Sequence, residues 1–207
     1  MIGIQTFGNT PVPYTVAWTG EERFFVERCP YARAMAICQE VAPGQGKPTF
    51  GKPHMQRQRE TIAKGLCDLC GKPLKSRTKV SLSHARTNMH GAEGPCVMQV
   101  EPLLHRDCAA ICMRYCPSLR RDVAAGTLMV RQVTRYRVQF AIIGPEHVGL
   151  YVPGYIAKPS DRITGHAKVE LIRWKDRSAE WLLDPAVKHE NPHGMSPSGC
   201  TAQRDHL

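Results

Sequence analysis

Apolar and polar residues alternate most clearly over residues 130–142. Val130, Tyr136, Val138, Phe140 and Ile142 fall on even positions, while Arg131, Arg135, Arg137 and Gln139 fall on odd ones. A period of two puts these sets on opposite faces of a strand, one apolar and one basic. Shorter patterns of the same kind predict strands over 78–83, 97–100, 149–152 and 166–174, and an extended piece over 12–18. Helical periodicity is expected over 31–41 and in a basic helix over 55–66 that ends near Gly65. A third helix is expected to begin at Arg106. A fourth should start at Pro117, which suits a first helical position, and stop before Gly126. Residues 43–53, rich in Pro and Gly, read as a linker, and 84–95 as a loop. The Gly46-Lys47 pair in that linker is not a phosphate loop. Val41 stands where the first glycine belongs, and Pro48 where Ser or Thr belongs.

These elements predict an α+β chain in four parts. Residues 1–53 form a mixed N-terminal segment with its linker, and 54–126 a compact central unit. A small antiparallel β region follows over 127–183, and 184–207 a disordered tail. Within that tail His189, His193, Cys200 and His206 have irregular spacing and read as bystanders.

Composition narrows the class of protein. The 42% hydrophobic content with 16 Pro, 17 Gly and 7% aromatics predicts much loop and a core that leans on something besides apolar packing. No run approaches the roughly 18 apolar residues of a membrane span. The first residues lack a basic stretch followed by an apolar one, so no secretory signal is expected. Nine cysteines without an export signal favour a reducing compartment, hence a cytoplasmic protein with metal-bound or buried thiols.

The chemistry those thiols suggest is specific. Cys67-Asp-Leu-Cys70-Gly71 is followed, 34 residues later, by His105-Arg-Asp-Cys108. Two ligand pairs with two-residue spacers can close a tetrahedron around Zn²⁺, the first from a tight turn and the second from the first turn of a helix. Cys67, Cys70, His105 and Cys108 are therefore the expected zinc ligands, with Cys96 as an alternative to His105. Cys112 and Cys116 lie beside Ile111, Tyr115 and Leu119 on an apolar helical stripe and read as core.

The net charge of +10 is concentrated beside this site, with eight basic groups against two acidic ones over residues 51–80. A basic surface next to a rigid metal turn attracts polyanions by releasing their counterions. Lys72, Lys75, Arg77 and Lys79, with Arg131, Arg135 and Arg137, are the expected contacts to DNA or RNA phosphates. A solvated face without a partner is the competing reading. No aromatic stacking platform and no recognition helix is evident, so base readout is not expected.

The order Cys67-x-x-Cys70-Gly71, then His84 after a strand, then His105-x-x-Cys108 resembles the zinc-bearing form of the His-Asn-His nuclease family over about 45 residues. The resemblance implies a treble-clef fold of knuckle, hairpin and helix. It would also make His84 a general base acting with a divalent ion. The chain departs from that pattern at Ser83, at Gln99 or Val100 and at Ala109, where the family carries further catalytic groups. The fold is thus better supported than the activity, and a non-enzymatic binder is expected. Residues 67–119 are also similar to uncharacterised prokaryotic and phage proteins. That similarity implies a bacterial or phage-infected cell, and a host protein as the alternative partner.

Overall fold

Two long strands organise the molecule, and their length follows from the alternation that the sequence carries. In a computed structural model that describes residues 3–75, 77–91, 94–156 and 158–184, twelve strands and five α-helices are found. In chain order they begin with β1 (Thr6–Phe7), β2 (Thr10–Pro11), β3 (Val16–Trp18), β4 (Phe24–Cys29), β5 (Ala34–Gln39) and β6 (Pro48–Pro53). Next come α1 (Met55–Lys64), β7 (Lys79–Ser83), β8 (Thr87–Gly91), β9 (Gly94–Gln99), β10 (Leu104–His105), α2 (Arg106–Tyr115) and α3 (Pro117–Ala124). The chain continues through β11 (Met129–Ile143), α4 (Pro145–Val148), β12 (Ile163–Arg177) and α5 (Ala179–Leu183).

The antiparallel pair β11–β12 is the spine of a sheet ordered β10-β7-β11-β12-β5-β4, with β9 also on β12 and β8 on β9. The fold is therefore α+β, but the sheet does not simply follow the central unit. It recruits β4 and β5 from the N-terminal segment and β7 to β10 from the region between the ligand pairs. The main apolar core joins β7, β11, β12 and α2, burying Val80, Leu82, Val130, Val133, Val169, Leu171 and Met113, while β4 and β5 bury Cys29, Ala36, Ile37 and Cys38 in smaller clusters of their own.

Several elements differ from expectation. Residues 31–41 contain β5 rather than a helix, because Ala34–Gln39 pairs along its whole length with β4, and ladder pairing outweighs the helical preference of Ala and Met. The linker holds β6, whose prolines sit at the ends of its pairing with β3, opposite Val16 and Trp18. The loop holds β8. The returning strand β9 pairs with β8 and β12, not with β7, which lies between β10 and β11. Residues 149–152 form turns after α4 instead of a strand. The tail expected to be disordered, 184–207, lies outside the described residues from 185 onward. Among the described residues no helix is long and apolar enough to cross a membrane.

Helix α1 seams the sheet where its strands diverge. It begins at His54, whose ring accepts a hydrogen bond from the Arg57 amide at 3.3 Å, and ends at Gly65 with φ 62°. That left-handed conformation is easy only for glycine, and a Cβ there would also meet the Tyr136 hydroxyl at 2.9 Å. Strands β12 and β5 are in register only at Thr164 and Ala36. Beyond that point Gln58 donates to the carbonyls of Ala167 and Val100, both at 2.8 Å, and accepts from the Ala167 amide at 2.9 Å. The fully buried Arg59 donates to the carbonyls of Gly165 and Ile37 and to the sulfurs of Cys29 and Cys38. Side chains of α1 thus supply hydrogen bonds that a continuous ladder would have supplied.

The N-terminal segment is fastened to α1 by a buried ion pair. Arg57 meets Glu21 through two hydrogen bonds, at 2.6 and 2.7 Å, and also donates to the carbonyls of Tyr14 and Val16. Glu21 is fully buried and accepts from the amides of Trp18 and Ala42 as well. Burial alone would raise its carboxyl, but the Arg57 guanidinium and the two amides outweigh it and hold Glu21 below the usual carboxylate range. A lowered folded value means that this stabilisation is complete above the ordinary carboxylate pKa and is lost as pH falls through the folded one. Glu21→Gln is expected to cost about 3 kcal/mol or more near neutral pH, because it strands a buried guanidinium. It should also flatten the loss of stability below about pH 4.5. Denaturant titrations of both proteins from pH 7 to 2 check this, and parallel curves would contradict it.

Candidate metal centre

Four side chains from two distant stretches converge beside the core. The ligand atoms of Cys67, Cys70, His105 and Cys108 all lie within 4.8 Å of one another, and three of the four residues are buried. These are the four ligands expected from the spacing, and together they can hold one metal ion.

The first pair is shaped by the end of α1. Leaving the left-handed Gly65, the chain forms a bridge between Leu66 and Pro73. The turn inside it is closed by Cys67 N–H to Lys72 O at 2.8 Å and Gly71 N–H to Cys67 O at 2.9 Å. Gly71 has φ 65°, and the ring of Tyr14 lies 3.0 Å from where a Cβ would stand, so both conformation and space call for glycine. Tyr14 also donates its amide to Asp68 O at 2.8 Å, which lays the N-terminal segment over the turn. Thr15 donates to the Asp68 carboxylate at 2.5 Å, and burial pushes that carboxyl up to about 7.

The second pair comes from the junction of β10 and α2. His105 lies opposite Lys79 in the ladder with β7 and is also the N-cap of α2, so Cys108 falls in the first helical turn on the same side. Asp68 N–H donates to Leu103 O at 3.0 Å, and His105 N–H to the Cys67 sulfur at 3.4 Å, tying the two halves together.

The imidazole is oriented by its outer nitrogen. Nε2 lies 3.0 Å from Pro73 O, and a carbonyl only accepts, so Nε2 carries the proton. The lone pair is then on Nδ1, which faces the sulfurs of Cys70 at 3.4 Å and Cys108 at 3.8 Å. A backbone carbonyl behind a ligating histidine is the usual outer support of a metal site.

The electrostatics suit a cation. Hydrogen bonds from Cys108 and His105 hold the Cys67 thiol well below its ordinary value, while the same contact with Cys67 drives Cys108 up. Burial raises Cys70. The contact with Cys67 raises His105 against the effect of burial. Crowded sulfurs of this kind can all ionise only when a cation lies among them.

The remaining cysteines are elsewhere. Cys96 is buried on β9 near the Glu170 carboxylate and is not among the four converging ligands, so it does not replace His105. Cys112 packs against the core as expected, whereas Cys116, at the C-cap of α2, is half-buried outside it.

The expected phosphate contacts divide. Lys72, Lys75, Arg77 and Arg135 are exposed and Lys79 is half-buried. Arg131 is a correction: it is 2% exposed and donates to Ser83 Oγ and Ala85 O, with Asp176 beside it. Arg137 is committed to Glu170 through two hydrogen bonds at 2.8 and 2.9 Å. The strict alternation that grouped these arginines is broken by register shifts in β11 on both sides of Arg135. Two exposed cations of β12, Arg173 and Lys175, were not expected. They are legible only as polar partners of Ile172 and Trp174 in the alternation of 166–174. His84 lies beside a cavity of about 260 Å³ that Gln99, Glu101 and Lys168 also line, and its Nε2 is 3.2 Å from the Asp122 carboxylate.

No protein-family model, curated protein or solved structure matches the chain.

Metal analysis of the purified chain is expected to find one bound ion per molecule, and none in Cys67→Ser or Cys108→Ser. Removing the ion with a chelator should unfold the chain, since a structural site of this type contributes about 10 kcal/mol or more near neutral pH. A chain that keeps its circular dichroism and melting temperature after chelation would contradict a structural role.

Proposed function

We propose that the ion is Zn²⁺, held in a treble-clef-like arrangement, and that the zinc-stapled scaffold binds nucleic-acid phosphates without catalysing a reaction. Three thiolates and one imidazole suit a borderline-soft, four-coordinate cation, and Zn–S of about 2.3 Å with Zn–N of about 2.0 Å gives edges of roughly 3.5 to 3.8 Å. The close approach of the four ligand atoms supports that fit. A knuckle and the first turn of a helix, the two halves of a treble clef, supply the ligands.

One observation carries the phosphate reading. Arg135 stands directly opposite Arg173 in the β11–β12 ladder, and both are exposed. Two guanidinium groups in directly opposed positions concentrate positive potential on this part of the sheet, which favours the approach of a phosphate. Lys175 lies two residues along β12, opposite Gln132. Lys79 pairs with Val133, so the chain that precedes it brings Arg77 and Lys75 towards the same end of the sheet. These cations hang from the metal turn and the strands it braces, which links binding to the ion. Phosphate contacts of this kind position a nucleic acid without reading its sequence.

Binding to a mixed-sequence DNA or RNA fragment should weaken steeply as salt rises, with Arg173→Ala weakening it further and reducing the salt slope by about one. Absence of binding at low salt ends this reading. Salt-insensitive retention of a defined host protein after nuclease treatment would replace it with a protein-interaction role.

The placement of His84 favours a second reading, a metal-dependent nuclease. A carboxylate at 3.2 Å orients the ring, and Glu101 and Lys168 line the adjoining cavity. Under this reading the chain nicks DNA with Mg²⁺ or Mn²⁺, and His84→Ala does not. An inactive wild-type chain disposes of it.

A further inference from the structure

We infer that the cationic face takes a double-helical nucleic-acid backbone in preference to a single strand. The inference rests on the phosphate-binding reading above and adds the class of nucleic acid.

Single strands are bound well where aromatic side chains offer stacking surfaces, each worth about 1 to 3 kcal/mol per base. The relevant part of the sheet offers none among the described residues. Tyr136 and Trp174, the aromatics nearest Arg135 and Arg173 along β11 and β12, are only partly exposed and pack against the apolar core. The hydroxyl of Tyr136 is turned towards Gly65. The exposed aromatics Phe7, Phe50, Tyr115 and Tyr151 belong to β1, β6, α2 and the turn after α4. A splayed base also needs a slot. The cavity beside His84 and a second one of about 470 Å³ beside β4 and β5 are lined by residues outside the cationic face.

What the face offers instead is fixed charge. Arg173 and Lys175 are two residues apart on one strand, about 6.6 Å along it, and both are exposed. The sheet fixes the spacing of their backbones, so what is lost when they meet phosphates in a regular array is side-chain freedom alone. Double-stranded DNA carries one charge per about 1.7 Å of axis and releases more counterions per contact than a single strand. A surface with cations and no stacking platform therefore favours the duplex. DNA and RNA duplexes share this chemistry, and both enter the test.

The test uses the metal-loaded full chain and fluorescence anisotropy at low salt. The probes are a 20-base-pair DNA duplex, a 20-base-pair RNA duplex and a component single strand of each. At least one duplex is expected to bind fivefold or more tightly than its own single strand. In Arg173→Ala/Lys175→Ala that preference should collapse and the salt slope fall by about two, while metal content and melting temperature stay as in the parent chain. A preference below fivefold for both duplexes, or a double variant that binds the duplex as the parent does, overturns the inference. Failure to bind any of the four probes overturns the phosphate reading itself, which is a different result from a chain that binds single strands equally well.

Discussion

Two short stretches far apart in the chain meet at one point, where three sulfurs and one imidazole bring the turn that follows α1 against the start of α2. The approach of those groups is unfavourable without a cation, since thiolates repel and neutral thiols bind one another weakly. With a cation the same crowding becomes a restraint that ties the two stretches together. It aligns β10 with β7 and so sets one edge of the sheet. It also holds the turn against Tyr14, which carries the N-terminal segment.

A second restraint is polar rather than metallic. The sheet is not continuous between β5 and β12, and a gap in a ladder normally exposes carbonyls that a buried position cannot leave bare. Gln58 and Arg59 fill that gap from α1. Arg57, in the same helix, secures Glu21 on the other side. Three consecutive residues of one helix thereby join three regions of the chain. This explains why a helix of low hydrophobicity is buried so deeply: beside the apolar contacts of Ile62 and Met55, it contributes hydrogen bonds from buried polar side chains.

The metal ligands were legible in the sequence because their information is local. Two-residue spacers and a glycine after the second cysteine describe a turn that needs no knowledge of the rest of the fold. Helices α1, α2 and α3 and strands β7, β11 and β12 were legible for the same reason, each carrying its own period or cap. The strand β5 was not, since Ala34, Met35 and Ala36 favour a helix until β4 lies beside them, and pairing is a tertiary fact. Nor was the burial of Arg131, because the face to which a residue belongs changes at each bulge and bulges leave no mark in a pattern of apolar residues. Of the cations grouped by the sequence, Lys72, Lys75, Arg77 and Arg135 are exposed. Arg131 and Arg137 serve the sheet itself, and Arg173 and Lys175 face outward.

The pairing of β5 with β12 joins residues far apart in the chain, Ala36 with Thr164, and Arg59 likewise reaches Gly165. During synthesis the first strands of the sheet must wait on the ribosome until their neighbour emerges more than a hundred residues later. The metal cluster, complete once Cys108 is made, can form well before then. Assembly is thus divided into an early event around the ion and a late one in which the waiting hairpin β4–β5 docks. A fold arranged in this way closes slowly and keeps an unpaired strand edge open to other chains until it does.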